Sequence, residues 1–164
     1  MLPQLGAPPS AVRSHEELFA YWASLREEGR LPARAHLDPR AIKRHLPTVS
    51  LIDVRPDRRY RLRLAGTGLY GVYGGEITGK ELEDVYSPEA ADYWRGELDK
   101  VVEGRRPGVG CHSLSWRGAT HLSLLWIRLP LASDGKRVDM ILGYDAVLGG
   151  GVSPEMRASG IRAA

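Results

Sequence analysis

The chain has one cysteine, Cys111, so no disulfide can form within it. A reducing compartment, the cytoplasm, is the matching expectation. No stretch approaches the ~20 consecutive apolar residues of a membrane-spanning helix. The opening "MLPQLGAPPSAV" has neither the basic start nor the apolar run of a secretion signal. Charge of one sign is also lacking: 23 Lys and Arg face 20 Asp and Glu, for a net +3. Most basic residues alternate with acids, as in "HEELFAYWASLREEGR", so no continuous basic stripe forms. The densest group is Arg55, Arg58, Arg59, Arg61 and Arg63. Arg61 and Arg63 alternate with Tyr60, Leu62 and Leu64, which places both arginines on the solvated face of an expected hairpin. Without a recognised reading element, charge alone does not make a nucleic-acid partner expected. No internal repeat is present.

What is there suits one domain: 164 residues with 43% hydrophobic side chains can bury a core. Residues 1 to 13 are Pro-rich and read as a flexible N-terminus. Ser14 and Glu17 spell a capping box that opens a helix ending at Gly29. Leu18, Trp22 and Leu25 share one face of it, joined by Phe19. Asp38 and Pro39 start a short helix that Pro47 stops. "VSLIDV" and "YRLRLA" read as two strands of a hairpin. Ser87-Pro88-Glu89 opens the longest helix, with Ala91, Trp94, Leu98, Val101 and Val102 on one side and Gly104 at its end. Three strands follow, separated by turns at Arg117-Gly118 and Asp134-Gly135. Residues 149 to 164 read as a flexible tail beyond a domain of residues 14 to 148.

Two nucleotide-like patterns lie between the second strand and the long helix. Gly66-Thr67-Gly68-Leu69-Tyr70-Gly71 spells G-x-G-x-x-G, and Gly74 to Lys80 spells G-x-x-x-x-G-K. A dinucleotide fingerprint needs its last glycine to open a long helix. Here Gly74 and Gly75 interrupt that helix at once. A phosphate loop needs Ser or Thr after its lysine, to reach magnesium. Here Glu81 follows, a carboxylate where a triphosphate would sit. The glycines are expected to serve tight turns and close backbone approaches instead.

The same region resembles the middle of a PAS domain. The features are Tyr73-Gly74, Glu76, Gly79, the segment Leu82 to Val85, and the Ser87-Pro88-Glu89 helix start. The closing "DGKRVDMILGYDAVL", with Asp134-Gly135, Gly143 and Asp145, resembles the last PAS strand. The tryptophan helix and "GRLPARAHLDPRAIKRHLPTVSLIDV" narrow the resemblance to PAS_5, a group of small bacterial proteins. It covers about residues 18 to 148. It implies an α+β fold: a PAS-like five-stranded antiparallel sheet with helices packed on one face, plus the N-terminal amphipathic helix. The strand and helix order read from pattern agrees with it. PAS domains bind haem, flavin, small metabolites or nothing, so the resemblance leaves the cofactor unknown. The flavin-adduct motif Asn-Cys-Arg-Phe is absent, and residues 87 to 104 contain no histidine to ligate haem.

Candidate residues follow from this frame. Tyr70, Tyr73, Tyr93, Trp94 and Trp126 are expected walls of an internal cavity, or plain core. Cys111 and His121 are further cavity candidates. A turn at Arg117-Gly118 puts His121 across from Leu114, as a ligand contact or a packing histidine. Cys111 and His112 cannot act as nucleophile and base, because adjacent strand residues point to opposite faces. His36, Asp38 and His45 lack the spacing of a zinc site, so no metal is expected. No catalytic constellation stands out, and no enzyme is expected. Leu18, Phe19, Trp22 and Leu25 are the expected dimer or partner face. The expectation is a non-catalytic sensory or regulatory module that forms a homodimer and passes its output to a separate signalling protein, with or without a small ligand. The alternatives are a ligand-free interaction scaffold and a nucleotide-binding enzyme.

Overall fold

The computed structural model describes residues 7–119 and 122–149. Two of the expected strands form residue for residue: β1 (Val49–Val54) and β2 (Tyr60–Ala65). β3 (Gly108–Ser113), β4 (Leu122–Leu131) and β5 (Met140–Gly149) complete a five-stranded sheet in the order β2-β1-β5-β4-β3. Every pair is antiparallel. The inner face carries α2 (Gly68–Tyr73), α3 (Leu82–Val85) and α4 (Pro88–Gly104). Ser87 caps α4, its hydroxyl accepting from the Ala90 N–H at 3.3 Å. Ala91, Trp94, Leu98 and Val101 are buried along the inward side of α4, as their spacing predicts. Among the described residues no helix is long and apolar enough to cross a membrane.

The N-terminal helix corrects two expectations. α1 spans Pro9–Ser24 and starts from Pro8 with no side-chain cap. The capping box at Ser14 does not form, because the helix is already under way. Pro9 sits at the first helical position, where its missing N–H costs nothing. Glu17 instead pairs with Arg44 and faces His45 at 3.1 Å. The helix also ends before Gly29, which has φ +71° in the turn beyond it.

α1 lies over the outer face of β4 and β5. Leu18 and Trp22 are buried there, and the Trp22 indole N–H donates to the Pro130 carbonyl at 2.9 Å. His15 Nε2 donates to the Leu125 carbonyl at 3.1 Å. A 3-10 segment, Pro39–Thr48, follows with Asp38 as its cap. Both faces of the sheet are therefore covered, the outer one only partly.

The hairpin departs from simple alternation. Leu51 pairs with Leu64 and Ile52 with Leu62, so Arg63 is an extra residue. This bulge turns Leu64 outward, where it is 44% exposed, and it does not join the inner apolar face. The arginine cluster is largely neutralised: Arg61 meets Asp53 at 3.1 Å, Arg55 meets Glu81 at 2.9 Å and Arg58 meets Glu103 at 3.3 Å.

Candidate functional site

The inner face of the sheet carries a buried ion pair. Along β4, Leu124, Trp126 and Arg128 point to the α4 side, because strand residues alternate. Arg128 and Asp145 are each 2% exposed. Arg128 Nη2 donates to both Asp145 oxygens, at 3.0 and 3.3 Å. Its Nη1 donates to the carbonyls of Ile127 and Tyr144, at 3.0 and 3.2 Å. The guanidinium lies 4.6 Å from the ring centre of Trp94 and 5.7 Å from that of Trp126. Such cation–π contact stabilises a desolvated charge. Burial raises the Asp145 carboxyl above its ordinary value, against the pull of Arg128.

Small residues make room for these large ones. Gly143 pairs with both Ser50 and Arg128. A Cβ there would meet Ser50 Oγ at 2.5 Å and the guanidinium at 3.2 Å. Gly110, opposite Trp126, would put a Cβ 2.5 Å from the indole. The glycines thus let a bulky ring and a cation lie flat on the sheet.

An aromatic wall closes the site. Trp126 Nε1 donates to the Tyr93 hydroxyl at 3.0 Å. Tyr93 stacks on His112 at 4.5 Å with the rings 12° apart. The Tyr73 and Tyr86 hydroxyls lie 3.0 Å apart. Burial raises the pKa of both. His112 is fully buried, and burial lowers its pKa to about 4, with Arg128 adding to the effect. Several buried polar atoms here have no hydrogen-bond partner among the described residues: Ser50 Oγ, Trp94 Nε1, Arg128 Nε and both nitrogens of His112. The enclosed cavity between Ser50, Tyr73, Tyr86, Arg128 and Asp145 is about 10 Å³. That is room for roughly one water. A flavin or porphyrin ring is far larger than this cavity.

The structure brings together Tyr73, Tyr93, Trp94 and Trp126 of the expected wall. Tyr70 is apart from them, 58% exposed, because it points away from the sheet on α2. Cys111 lies on the opposite face, among Ala11, Leu125, Ala146 and Leu148. Burial pushes its thiol up to about 11, so it stays protonated. Alternation separates Cys111 from His112 as expected, but it is His112 that reaches the site. His121 lies outside the described residues. His36, Asp38 and His45 serve locally. His36 Nδ1 accepts from the Ala33 N–H, Asp38 caps Arg40, and His45 faces Glu17. Of the expected partner face, Leu18 and Trp22 are buried within the chain, Leu25 is half-buried, and Phe19 is 40% exposed.

The glycine motifs are explained by packing. A Cβ on Gly66 would stand 2.1 Å from the Leu46 carbonyl oxygen, and one on Gly68 2.7 Å from that of Pro47. Carbonyl oxygens thus occupy the side a phosphate would have to approach. Gly74 is the left-handed C-cap of α2, at φ +74°, and Gly79 turns the chain at φ +84°.

Sequence reasoning passed over Ser50, Tyr86 and Arg128, and considered His112 and Asp145 without making either a site residue. The available signal was a charge at an inward position of a strand, "LLWIRLPL", where an apolar residue is expected.

A search of curated proteins found no match. Among solved structures, the LOV protein of Rhodobacter sphaeroides is 14% identical, with 90% of this chain and 73% of that one covered and a TM-score of 0.49. A sensory box sensor histidine kinase from Vibrio cholerae is 13% identical, covering 88% of this chain and 98% of that one, with a TM-score of 0.46. A fungal LOV domain photoreceptor is 17% identical over 79% and 89% of the two chains, at a TM-score of 0.48. The PAS_5 family model, described as a PAS domain, matches residues 10–145. With its antiparallel sheet and the helices α2 to α4 over the inner face, the chain belongs to the PAS domain family.

Proposed function

We propose that this PAS domain is a non-catalytic sensory or regulatory module whose responsive element is the buried Arg128–Asp145 site. One observation carries the reading: a buried ion pair sits among polar atoms that have no hydrogen-bond partner among the described residues. Half-satisfied polar groups in a core are costly and call for an explanation. A small polar ligand that satisfied them would favour one packing of the sheet against α4. It would shift the population only by its difference in affinity between the two packings. Output then passes to a separate signalling protein. The cavity of about 10 Å³ favours a second reading, a ligand-free interaction scaffold with a filled core.

Native mass spectrometry of the purified protein, with a thermal-shift screen of small polar metabolites, separates the two. The sensor reading expects a retained mass, or a ligand that raises the midpoint of wild type. The same ligand should have no effect on the double variant Arg128→Met/Asp145→Leu. That variant stays folded, because replacing both partners of a buried pair costs far less than the ~3–5 kcal/mol of removing one. A bare chain that no metabolite stabilises would leave the scaffold reading standing.

A further inference from the structure

The outer face of the sheet is open beside α1. The 3-10 segment Pro39–Thr48 stands off from β1 and β2 and leaves a groove of about 860 Å³. That is within the ~300–1,000 Å³ of small-molecule sites. The exposed Leu64 and half-buried Leu46 line it, above the buried Leu51, Leu142 and Ile42. At one end the backbone of Leu46 and Pro47 closes against Gly66. The bulge at Arg63 is what presents Leu64 to this groove rather than to the core.

The rim carries charge of one sign. Arg34 and Lys43 line the groove, and among the described residues no carboxylate does. Neither side chain has an ion pair or hydrogen bond among the described residues. Their neighbours Arg40 and Arg44 are paired, with Asp38 and Glu17. An apolar trough with two uncompensated cations at its edge suits a molecule with an apolar body and one anionic end.

We propose that this groove binds the free anion of a long-chain fatty acid, its tail along the apolar trough and its carboxylate between Arg34 and Lys43. A nucleotide or sugar phosphate would lay polar groups on leucines without partners. A neutral lipid would leave both cations without a counter-charge. The site lies on the face of the sheet opposite Arg128 and Asp145, so it stands or falls independently of the responsive element proposed above.

Isothermal titration of the full, delipidated chain with myristate, below its micelle concentration, tests this. The expected result is saturable binding of one myristate per chain. The methyl ester should bind at least about tenfold more weakly, as should the double variant Arg34→Glu/Lys43→Glu. Leu64→Glu should abolish binding. All three positions are exposed, so the variants should melt close to wild type and report on the groove rather than on folding. Four results would each overturn the proposal. They are no saturable heat, equal binding of acid and ester, binding indifferent to the variants, and heat seen only with anionic phospholipid vesicles. So would a dimer that Leu64→Glu dissociates while myristate fails to bind, since the groove would then belong to a second copy.

Discussion

At the scale of single residues, burial decides the behaviour of the titratable groups. His15 and His112 are both fully buried, and burial lowers each pKa from 6.5 to about 4. In the unfolded chain both take up protons near pH 6.5; in the folded chain they stay neutral until about pH 4. The unfolded state therefore binds more protons across that window, and stability falls as pH falls through it. Each histidine can contribute a loss of up to about 3 kcal/mol by pH 4. His45, lowered by burial and by Arg44, acts in the same sense. Asp145, raised by burial, acts in the opposite one at the acid end. A difference measurement isolates His112 from both. Urea unfolding of wild type and His112→Phe at pH 7.5, 6 and 5 should show wild type losing stability relative to the variant toward acid, because the phenyl ring keeps the stack on Tyr93 but cannot charge. Parallel curves would mean that His112 takes up its proton as readily in the folded protein as in the unfolded chain, and the unpartnered-nitrogen description of the site would be wrong.

At the scale of elements, the glycine-rich connection offers a paired comparison. Gly66 and Gly71 belong to the same G-x-G-x-x-G pattern, yet their surroundings differ. A Cβ at Gly66 would enter the backbone of Leu46 and Pro47, whereas one at Gly71 would meet nothing within 4 Å. Gly66→Ala should therefore cost about 1–3 kcal/mol through overpacking, or more if the backbone cannot shift. Gly71→Ala, inside α2, should be neutral or stabilise by about 0.5–1 kcal/mol through helix propensity. Thermal melts of both variants check this, and equal effects would refute the packing account. The same contrast explains what the sequence could reveal. β1, β2 and α4 were legible because alternation, turn residues and a Ser-Pro cap are local signals. The start of α1 was not, because two start signals competed and the earlier one, Pro8-Pro9, won. Nor was the bulge at Arg63, since an extra residue in one strand is defined only by its partner. In the site, the aromatic wall could be read from helix and strand periodicity. The Arg128–Asp145 pair could not, because it joins neighbouring strands through a register that no short stretch of sequence encodes.

At the scale of the whole molecule, the N-terminal helix is part of the domain's cover. It buries Leu18 and Trp22 over β4 and β5, and it is tied down by Trp22 to Pro130, His15 to Leu125, and Glu17 to Arg44. Removing residues 1 to 28 would therefore disturb the fold as well as any dimer formed through α1. Trimming uncovers Cys111, Leu125, Ala146 and Leu148, which pack with Ala11 on that face. The trimmed chain should lose its cooperative melt, whatever its association state. Association is better probed at Phe19, which is 40% exposed beside Trp22 and contributes little to the core. If α1 is the dimer element, sedimentation velocity at tens of micromolar should find wild type dimeric and Phe19→Glu shifted toward monomer. Their melting midpoints, measured at a concentration where both are monomers, should agree, because an exposed side chain changes stability by only about 0.5 kcal/mol. A wild type that is monomeric at the higher concentration removes the homodimer altogether. A Phe19→Glu protein that stays dimeric moves the contact off α1, and makes the groove edge at Leu64 the next apolar surface to test.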